Sequence, residues 1–204
     1  MSQFQVLDEV KVVVVYHSGY GNTAKQAQVV AAGAQEVPGV TALLISVDEV
    51  NDHWQDLNEA DALIFGTPTY MGGPSAAFKG FMDDTVKVWS DNLGWKNKIA
   101  GGFTNSGNMN GDKLNTLISL SIFAAQHGMQ WVGLDLYGGW NTTTGSADDL
   151  NRLGSWLGAM AQSHKDTDDG PSASDLKTAA HLGKRVALLA KQWVAGRQAV
   201  VETA

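Results

Sequence analysis

The chain has 204 residues, of which 44% are hydrophobic, and it contains no cysteine. The lack of cysteine excludes disulfide scaffolds, thiolate nucleophiles and cysteine-ligated metal centres, and the histidines show no metal-ligand spacing, so no metal site is expected. A net charge of -7 with scattered basic residues argues against a protein that binds nucleic acid or an anionic membrane surface.

Strands and helices alternate in the first half of the chain. Residues 11–16 are a β-branched run without polar alternation, which is typical of a strand buried on both faces. The pattern changes at Asn22 to a helical one, in which apolar residues recur at helical spacing from Ala24 to Ala34, and a Pro-Gly pair ends that helix. Two further buried strands are predicted at 40–46 and 62–66, and the polar segment between them predicts a loop with a short helix.

The second half of the chain continues this alternation. A fourth strand is predicted at 99–104, an apolar helix at 114–125 and a fifth strand at 129–134. Residues 135–170 are rich in Gly, Thr, Asn and Asp and predict a long loop. The last helix is predicted from a capping-box-like start at residues 172–175.

The order of these elements predicts an α/β fold. Successive βαβ units with right-handed crossovers give a parallel sheet covered by helices on both faces. In such sheets ligands bind beyond the carboxyl ends of the strands. The loops after strands one, three and four are all rich in Gly, Asn, Ser and Thr, so together they outline a binding crevice.

Domain organisation and localisation follow from what the sequence lacks. Neither an internal repeat nor a linker divides it, so we expect a single domain over residues 1–204. The N-terminus has no basic region followed by a long apolar run, and no apolar run approaches the ~20 residues that span a bilayer. We therefore expect a cytoplasmic protein without membrane insertion.

The loop over residues 17–24 joins a buried strand to a helix and has the composition of a phosphate site. Backbone N–H groups at a helix N-terminus are ready donors for an anion. Side-chain donors are added at Ser18, Asn22 and Thr23. The loop also fits the dinucleotide fingerprint G-x-G-x-x-A, but the extra donors favour the terminal phosphate of a mononucleotide. A purely structural turn with Asn22 as N-cap is the alternative.

Two further loops have the composition of walls for a planar ring. Residues 68–74 include Gly72 and Gly73, which permit the close backbone approach that a planar tricyclic ring requires. Residues 104–111 are of the same kind and would form the opposite wall. Three loops of one composition at one edge of the sheet are more specific than any of them alone.

The loop sequences resemble those of a known flavoprotein family. Ser18-Gly-Tyr-Gly-Asn-Thr23 is similar to a flavodoxin-type FMN-phosphate loop, and residues 65–69 with Gly72 resemble the WrbA-type NAD(P)H:quinone oxidoreductases and NADPH-dependent FMN reductase-like flavoproteins. The resemblance extends to Trp89, His127 and the last helix. It implies a flavodoxin-like, doubly wound, five-stranded parallel sheet in the order 2-1-3-4-5. It also implies non-covalently bound FMN, NAD(P)H as electron donor, a quinone as acceptor, and a homodimer or homotetramer.

The resemblance also assigns site residues position by position. The FMN phosphate is expected on Ser18, Tyr20, Gly21, Asn22 and Thr23. The flavin ring is expected against Pro68, Thr69, Tyr70, Met71, Gly72 and Gly73, with Thr104, Asn105, Ser106 and Gly107 on the third side. The expected catalytic residues are Tyr70, Trp89 and His127, of which the last two often reach the pocket of a neighbouring subunit in this family. Tyr70 and Met71 stand where the family usually has Arg followed by an aromatic residue.

Three functions are compatible with this sequence. The leading one is an oxidoreductase that passes two electrons from NADH or NADPH through FMN to a quinone or a similar small acceptor. A flavodoxin-type electron carrier would share the FMN loops but lack its own substrate pocket, and a flavin-free scaffold would be expected to lose the donors of the first loop. His127 has a structural alternative, because the dipole of the helix that ends there favours a cation.

Overall fold

A parallel β-sheet forms the centre of the fold. The computed structural model describes residues 9–164, 166 and 169–202. Its strands are β1 (Val10–Tyr16), β2 (Val40–Ser46), β3 (Ala62–Tyr70), β4 (Gly73–Pro74), β5 (Ile99–Ser106), β6 (Gln130–Trp131) and β7 (Ala159–Gln162). Its helices are α1 (Asn22–Gln35), α2 (Trp54–Glu59), α3 (Ala76–Asp84), α4 (Val86–Ser90), α5 (Lys113–Gln126) and α6 (Ala173–Glu202), with a 3-10 turn at Val50–Asp52.

The order of the strands is β2-β1-β3-β5-β6, and β7 lies beside β5 on the same side as β6. Counted along the sheet, this is the predicted order 2-1-3-4-5, and the flavodoxin-like fold class is confirmed. Pairing between these strands is parallel, with Val12 opposite Ala62 and Ala62 opposite Ile99. The carboxyl ends of β1, β3 and β5 therefore meet at one edge.

Apolar side chains cover both faces of the sheet. Val12 and Val14 of β1 pack with α1 and α6 on one face, whereas Val13 and Val15 pack with the α2–α5 side on the other. All four are fully buried, which explains why this strand carries no polar alternation. The contact between α1 and α6 is so close that a Cβ at Gly183 would overlap the carbonyl oxygen of Val30.

Two strands extend further than the sequence predicts. Thr67 pairs with Thr104, and Pro68 pairs with Asn105, so residues 67–70 and 105–106 are strand and not loop. Proline donates no backbone hydrogen bond, and here it lies where the parallel ladder ends, where a missing donor costs least. The extension carries two of the predicted binding segments outwards on rigid strands.

The position of the predicted fifth strand is shared by two short strands, β6 and β7. Only Gln130–Trp131 forms a strand there, beside the first residues of β5, and residues 132–158 then leave the sheet. The chain returns as Ala159–Gln162 beside Phe103–Ser106. Val132 still donates to the carbonyl of Ala100 (2.7 Å), but Leu134 donates to Trp156 (2.7 Å), which turns the backbone away from β5.

The last helix starts as predicted. Ser172 precedes its first residue, and the Ser172 hydroxyl accepts a hydrogen bond from the backbone N–H of Asp175 (3.3 Å). The carboxylate of Asp175, however, takes up another role. It pairs with Arg152 (2.8 Å) and accepts the backbone N–H of Gln162 (2.9 Å). Asp175 therefore ties the 132–158 segment and β7 to α6.

Candidate functional site

A cleft of about 1060 Å³ lies at the carboxyl edge of the sheet, where the loops after β1, β3 and β5 meet. The predicted binding residues that line it are Ser18, Tyr20, Asn22, Thr23, Pro68, Thr69, Tyr70, Met71, Gly72, Asn105, Ser106 and Gly107. The structure therefore brings the three predicted loops together around one cavity. Four residues that the sequence did not single out also line it, Lys25, Asp112, Ser163 and His164.

The first wall is the turn between β1 and α1. Gly21 is the N-cap of α1 in a left-handed conformation (φ 80°), and no side chain caps the helix in the described structure. Asn22 is the first helical residue, so the alternative in which Asn22 is the N-cap is wrong. The hydroxyl of Ser18 is buried without a hydrogen-bond partner among the described residues. Free backbone N–H groups and an unused hydroxyl are the donors that an oxyanion requires.

The second wall is formed by the end of β3 and the turn that follows it. The hydroxyl of Tyr70 closes on the first wall, where a Cβ at Gly19 would lie 2.6 Å from it. The rings of Tyr20 and Tyr70 meet edge to face at 6.3 Å. Burial raises the pKa of the Tyr70 phenol, with Tyr20 acting in the same direction and a backbone hydrogen bond from Gly19 opposing both. Met71 is fully exposed at the rim of the cleft.

Three threonines form a buried hydrogen-bonded group beneath the second wall. The hydroxyl of Thr69 lies 2.8 Å from those of both Thr104 and Thr116. Thr104 is fully buried and does not line the cleft, so its side chain supports Thr69 and lies away from any ligand. Gly73 pairs with Tyr70 in the β3–β4 hairpin and, like Gly21, is not part of the lining.

The third wall is built from the end of β5 and the first residue after β7. Ser163 donates its backbone N–H to the carbonyl of Ser106 (3.1 Å) and its hydroxyl to the side-chain oxygen of Asn105 (3.0 Å). Gln162 reaches the carbonyl of Gly107 (3.3 Å). Because β7 was predicted as loop, the contribution of Ser163 to the site was missed. Its segment, Ala-Met-Ala-Gln, has no β-branched or aromatic residue to indicate a strand.

His127 and Trp89 lie away from this cleft in the same chain. The cleft is at the N-terminal end of α5, and His127 follows its C-terminal end, which places the two about 20 Å apart along a 14-residue helix. Trp89 lies beside His127, since its indole N–H donates to the carbonyl of Gln126 (3.1 Å). Neither residue lines the cleft.

The surroundings of His127 differ from the structural alternative, in which the helix dipole favours a cation at this position. The side chain is 2% exposed, its Nε2 lies 2.9 Å from the hydroxyl of Thr85, and its ring packs against Trp95 and Phe123. Burial lowers the pKa of His127, so the ring is held neutral at neutral pH. His127 is thus enclosed within its own chain and does not line the cleft.

Charged groups in the cleft do not form an arrangement for acid–base catalysis by protein side chains. Within the described residues there is no cluster of three or more potential metal ligands. No helix of the described chain has the length and apolarity needed to cross a membrane. What the cleft offers a ligand is hydrogen-bond donors and aromatic side chains along its walls.

Comparisons with known proteins agree with this architecture. Residues 10–137 match the family described as NADPH-dependent FMN reductase. The chain is 41% identical over 187 residues to Flavodoxin FldP of Pseudomonas aeruginosa, covering 89% of this chain and 97% of that protein. It is 31% identical to an NAD(P)H dehydrogenase (quinone) of Methanosarcina mazei, covering 92% and 100%. The crystal structure of the flavodoxin, WrbA-like protein from Agrobacterium tumefaciens superposes with a TM-score of 0.69 at 43% identity, covering 90% and 98%.

Proposed function

The chain belongs to the NADPH-dependent FMN reductase family, and we propose that it transfers two electrons from NAD(P)H to a quinone or a similar small acceptor. The resemblance to flavodoxin-like, WrbA-type oxidoreductases is confirmed, and with it FMN as cofactor and NAD(P)H as electron donor. The observation that carries the proposal is the cleft itself. Its first wall leaves a buried hydroxyl and the N–H groups of a helix N-terminus without protein partners in the described structure.

The first wall fits the phosphate of FMN. A phosphate dianion accepts many hydrogen bonds, and a helix N-terminus stabilises negative charge. Ser18, Asn22 and Thr23 would supply side-chain donors, and Gly21 would let the backbone close around the group. We propose this turn as the phosphate site.

The second and third walls fit a flat ring. Pro68, Thr69 and Gly72 on one side and Asn105, Ser106 and Gly107 on the other provide backbone N–H and carbonyl groups along the edges of the cleft. The amide of Asn115 holds the carbonyl of Gly72 (2.6 Å), which fixes the second wall against α5. Tyr70 would cover one edge of the ring.

When bound, FMN would supply the redox chemistry of hydride acceptance and electron transfer. The protein's own residues would bind its phosphate and orient its ring, with Tyr20, Tyr70 and Met71 at the rim of the cleft. Of the three expected catalytic residues, we retain Tyr70 as the one that contacts the acceptor. We assign to His127 a role in holding α5 against Thr85 and Trp95.

An electron carrier is the second candidate, because a relative of 41% identity is named a flavodoxin. A carrier would exchange electrons with a protein at the exposed edge of the ring, near Met71 and Tyr20, which are both exposed. The enzyme is preferred because several relatives of about 30% identity are named NAD(P)H dehydrogenase (quinone).

Reduction by nicotinamide separates the two candidates. FMN-loaded protein would be mixed anaerobically with NADH or NADPH while the flavin absorbance is followed, and benzoquinone would then be added. Rapid bleaching with one nucleotide and repeated turnover with benzoquinone are expected of the reductase. Bound flavin that dithionite reduces but neither nucleotide does would indicate the carrier. Protein that takes up no FMN would contradict both.

Self-association is proposed from an exposed apolar face on α5. Leu114, Ile118 and Ile122 are spaced by four residues and are exposed, and Trp89 of α4, which is also exposed, donates to the carbonyl of Gln126 at the end of α5. This face begins at the cleft, because Asn115 contacts Gly72. We propose that a second copy of the same single-domain, cytoplasmic chain covers it in a homodimer or homotetramer, and that Trp89 meets the neighbouring subunit there.

A further inference from the structure

Lys113 is a buried cation behind the third wall of the cleft. It is the first residue of α5, and its side chain is fully buried. The ammonium group donates to the hydroxyl of Ser106 (3.0 Å) and to the carbonyls of Asn108 (2.7 Å) and Met109 (2.8 Å). The lysine thus bonds to the last residue of β5 and to two carbonyls of the loop that follows it.

The hydrogen bonds of Lys113 shape this loop. Ser106 and Asn108 both line the cleft, and the Ser106 hydroxyl also donates to the carbonyl of Asn108 (3.0 Å). The backbone of Gly111 passes so close to Ser106 that a Cβ at Gly111 would overlap the Ser106 hydroxyl. The loop is therefore wrapped around the ammonium group and has no strand or helix of its own to fix it.

Lys113 forms no ion pair among the described residues, although Asp175 acts on it from a distance and partly opposes the lowering of its pKa by burial. Within the described residues no carboxylate lies within ion-pair distance of it, and the nearby Asp175 is held bidentately by Arg152. A cation at the N-terminus of a helix is also disfavoured by the helix dipole. Burial lowers the pKa of Lys113 to about 8, so the group stays largely protonated at neutral pH at an energetic cost. A nearby anion would offset that cost.

We propose that Lys113 is a positioning residue that preforms the third wall of the flavin site and places a positive charge behind it, where it favours the reduced, more negative flavin. The proposal rests on FMN binding in this cleft. The Ser106 hydroxyl, which accepts a hydrogen bond from the ammonium group, belongs to a residue that lines the cleft, so the charge lies directly behind this wall. A charge in a low-dielectric wall acts over a longer distance than one in water.

The test compares Lys113→Met with Lys98→Met. Methionine keeps the apolar stem and removes the charge, and the loop carbonyls can bond to water because residues 108–110 are exposed. Lys98 is a matched control, since burial also lowers its pKa to about 8 and its ammonium group also donates to carbonyls, those of Asn58 (2.8 Å) and Ala60. It precedes β5 at the opposite edge of the sheet from the cleft.

FMN itself is the probe. Apoprotein would be titrated with oxidised FMN and, under dithionite, with reduced FMN, while flavin fluorescence or absorbance reports binding and a redox titration reports the midpoint potential. Lys113→Met is expected to weaken binding of oxidised FMN about tenfold and of reduced FMN about a hundredfold. The extra tenfold corresponds to a two-electron midpoint potential about 30 mV lower. Lys98→Met should bind both forms as the unmodified protein does.

Two outcomes would overturn the assignment. Unchanged affinity in Lys113→Met would show that the loop does not depend on the lysine. An equal loss of affinity for oxidised and reduced FMN, with an unchanged midpoint potential, would show that Lys113 only supports the loop. Unmodified protein that bound no FMN at all would instead refute the function proposed above, so the two failures are distinguishable.

Discussion

Ser18 is the residue whose removal tests the phosphate site most directly. Its hydroxyl is buried without a partner in the described structure, and Ser18→Ala removes a donor without leaving a protein group unpaired. A hydrogen bond to a charged group contributes about 1.5–3 kcal/mol, so we expect the dissociation constant for FMN to rise about 10- to 100-fold. Fluorescence titration measures it. Ser121→Ala, which loses only a bond to the carbonyl of Ile118, is the control, and equal affinities in the two variants would contradict the site.

Buried lysines predict an unusual dependence of stability on pH. Burial lowers the pKa of Lys98 and Lys113 to about 8 from an ordinary value of 10.5. Between about pH 8 and pH 10 the unfolded chain keeps protons that the folded protein has released, so the free energy of unfolding should rise with pH. Above pH 10 the raised pKa values of Tyr16 and Tyr70 act in the opposite direction.

Urea denaturation of the apoprotein at pH 7.5, 8.5 and 9.5 measures this effect. The unmodified protein should become more stable over that range, and Lys98→Met and Lys113→Met should each reduce the slope. A double variant with the full slope would show that other groups are responsible.

At the scale of elements, the contact between α1 and α6 depends on two glycines. A Cβ at Gly33 would overlap the carbonyl of Ala180, and one at Gly183 would overlap that of Val30. Because both neighbours are helix backbone, the helices must move apart to admit a methyl group. We expect Gly183→Ala to lower the free energy of unfolding by about 1–3 kcal/mol.

Gly196→Ala provides the control for this prediction, because it lies on the same helix and its Cβ would have no neighbour within 4 Å. Alanine is the better helix former by about 1 kcal/mol, so this variant should be as stable as the unmodified protein or more so. Urea denaturation compares the two. If Gly183→Ala were equally benign, the close approach of α1 and α6 would be in error.

The elements that could be predicted from the sequence are those with strong local patterns. The β-branched run indicated β1, the apolar run at 40–46 indicated β2, and the Ser172 cap indicated the start of α6. The split of the fifth strand could not be predicted, because Ala159–Gln162 is held in the sheet by β5 and by the Asp175 carboxylate and not by its own propensity. The extension of β3 through Pro68 was missed for a similar reason, since composition indicated a turn.

The same distinction holds within the candidate site. The three loops could be predicted to converge because the carboxyl ends of parallel strands share an edge. Which side chains face the cavity depends on register, and this is why Thr104 was predicted beside the flavin ring, whereas its side chain in β5 is buried and bonds to Thr69. Lys113 carried no motif, because its role arises only when the loop folds back over it.

At the scale of the whole molecule, the apolar face on α5 predicts self-association. Ile118→Glu with Ile122→Glu would place two charges in the centre of that face. We expect the oligomer observed by size-exclusion chromatography with light scattering to dissociate, because charged residues are depleted from interface cores. Leu188→Glu, an exposed apolar residue on α6, is the control and should leave the mass unchanged. If the mass stayed the same in both variants, the interface would lie elsewhere.

The split of the fifth strand also has a consequence for the order in which the protein folds. β7 is only four residues long, has no β-branched or aromatic residue and pairs with β5 alone among the described strands, whereas β1 lies between β2 and β3. Ser163, which completes the third wall, follows directly after β7. We therefore expect amide hydrogen exchange during refolding to protect β1 and β3 before β7, so that the chain acquires its affinity for FMN in the last step of folding.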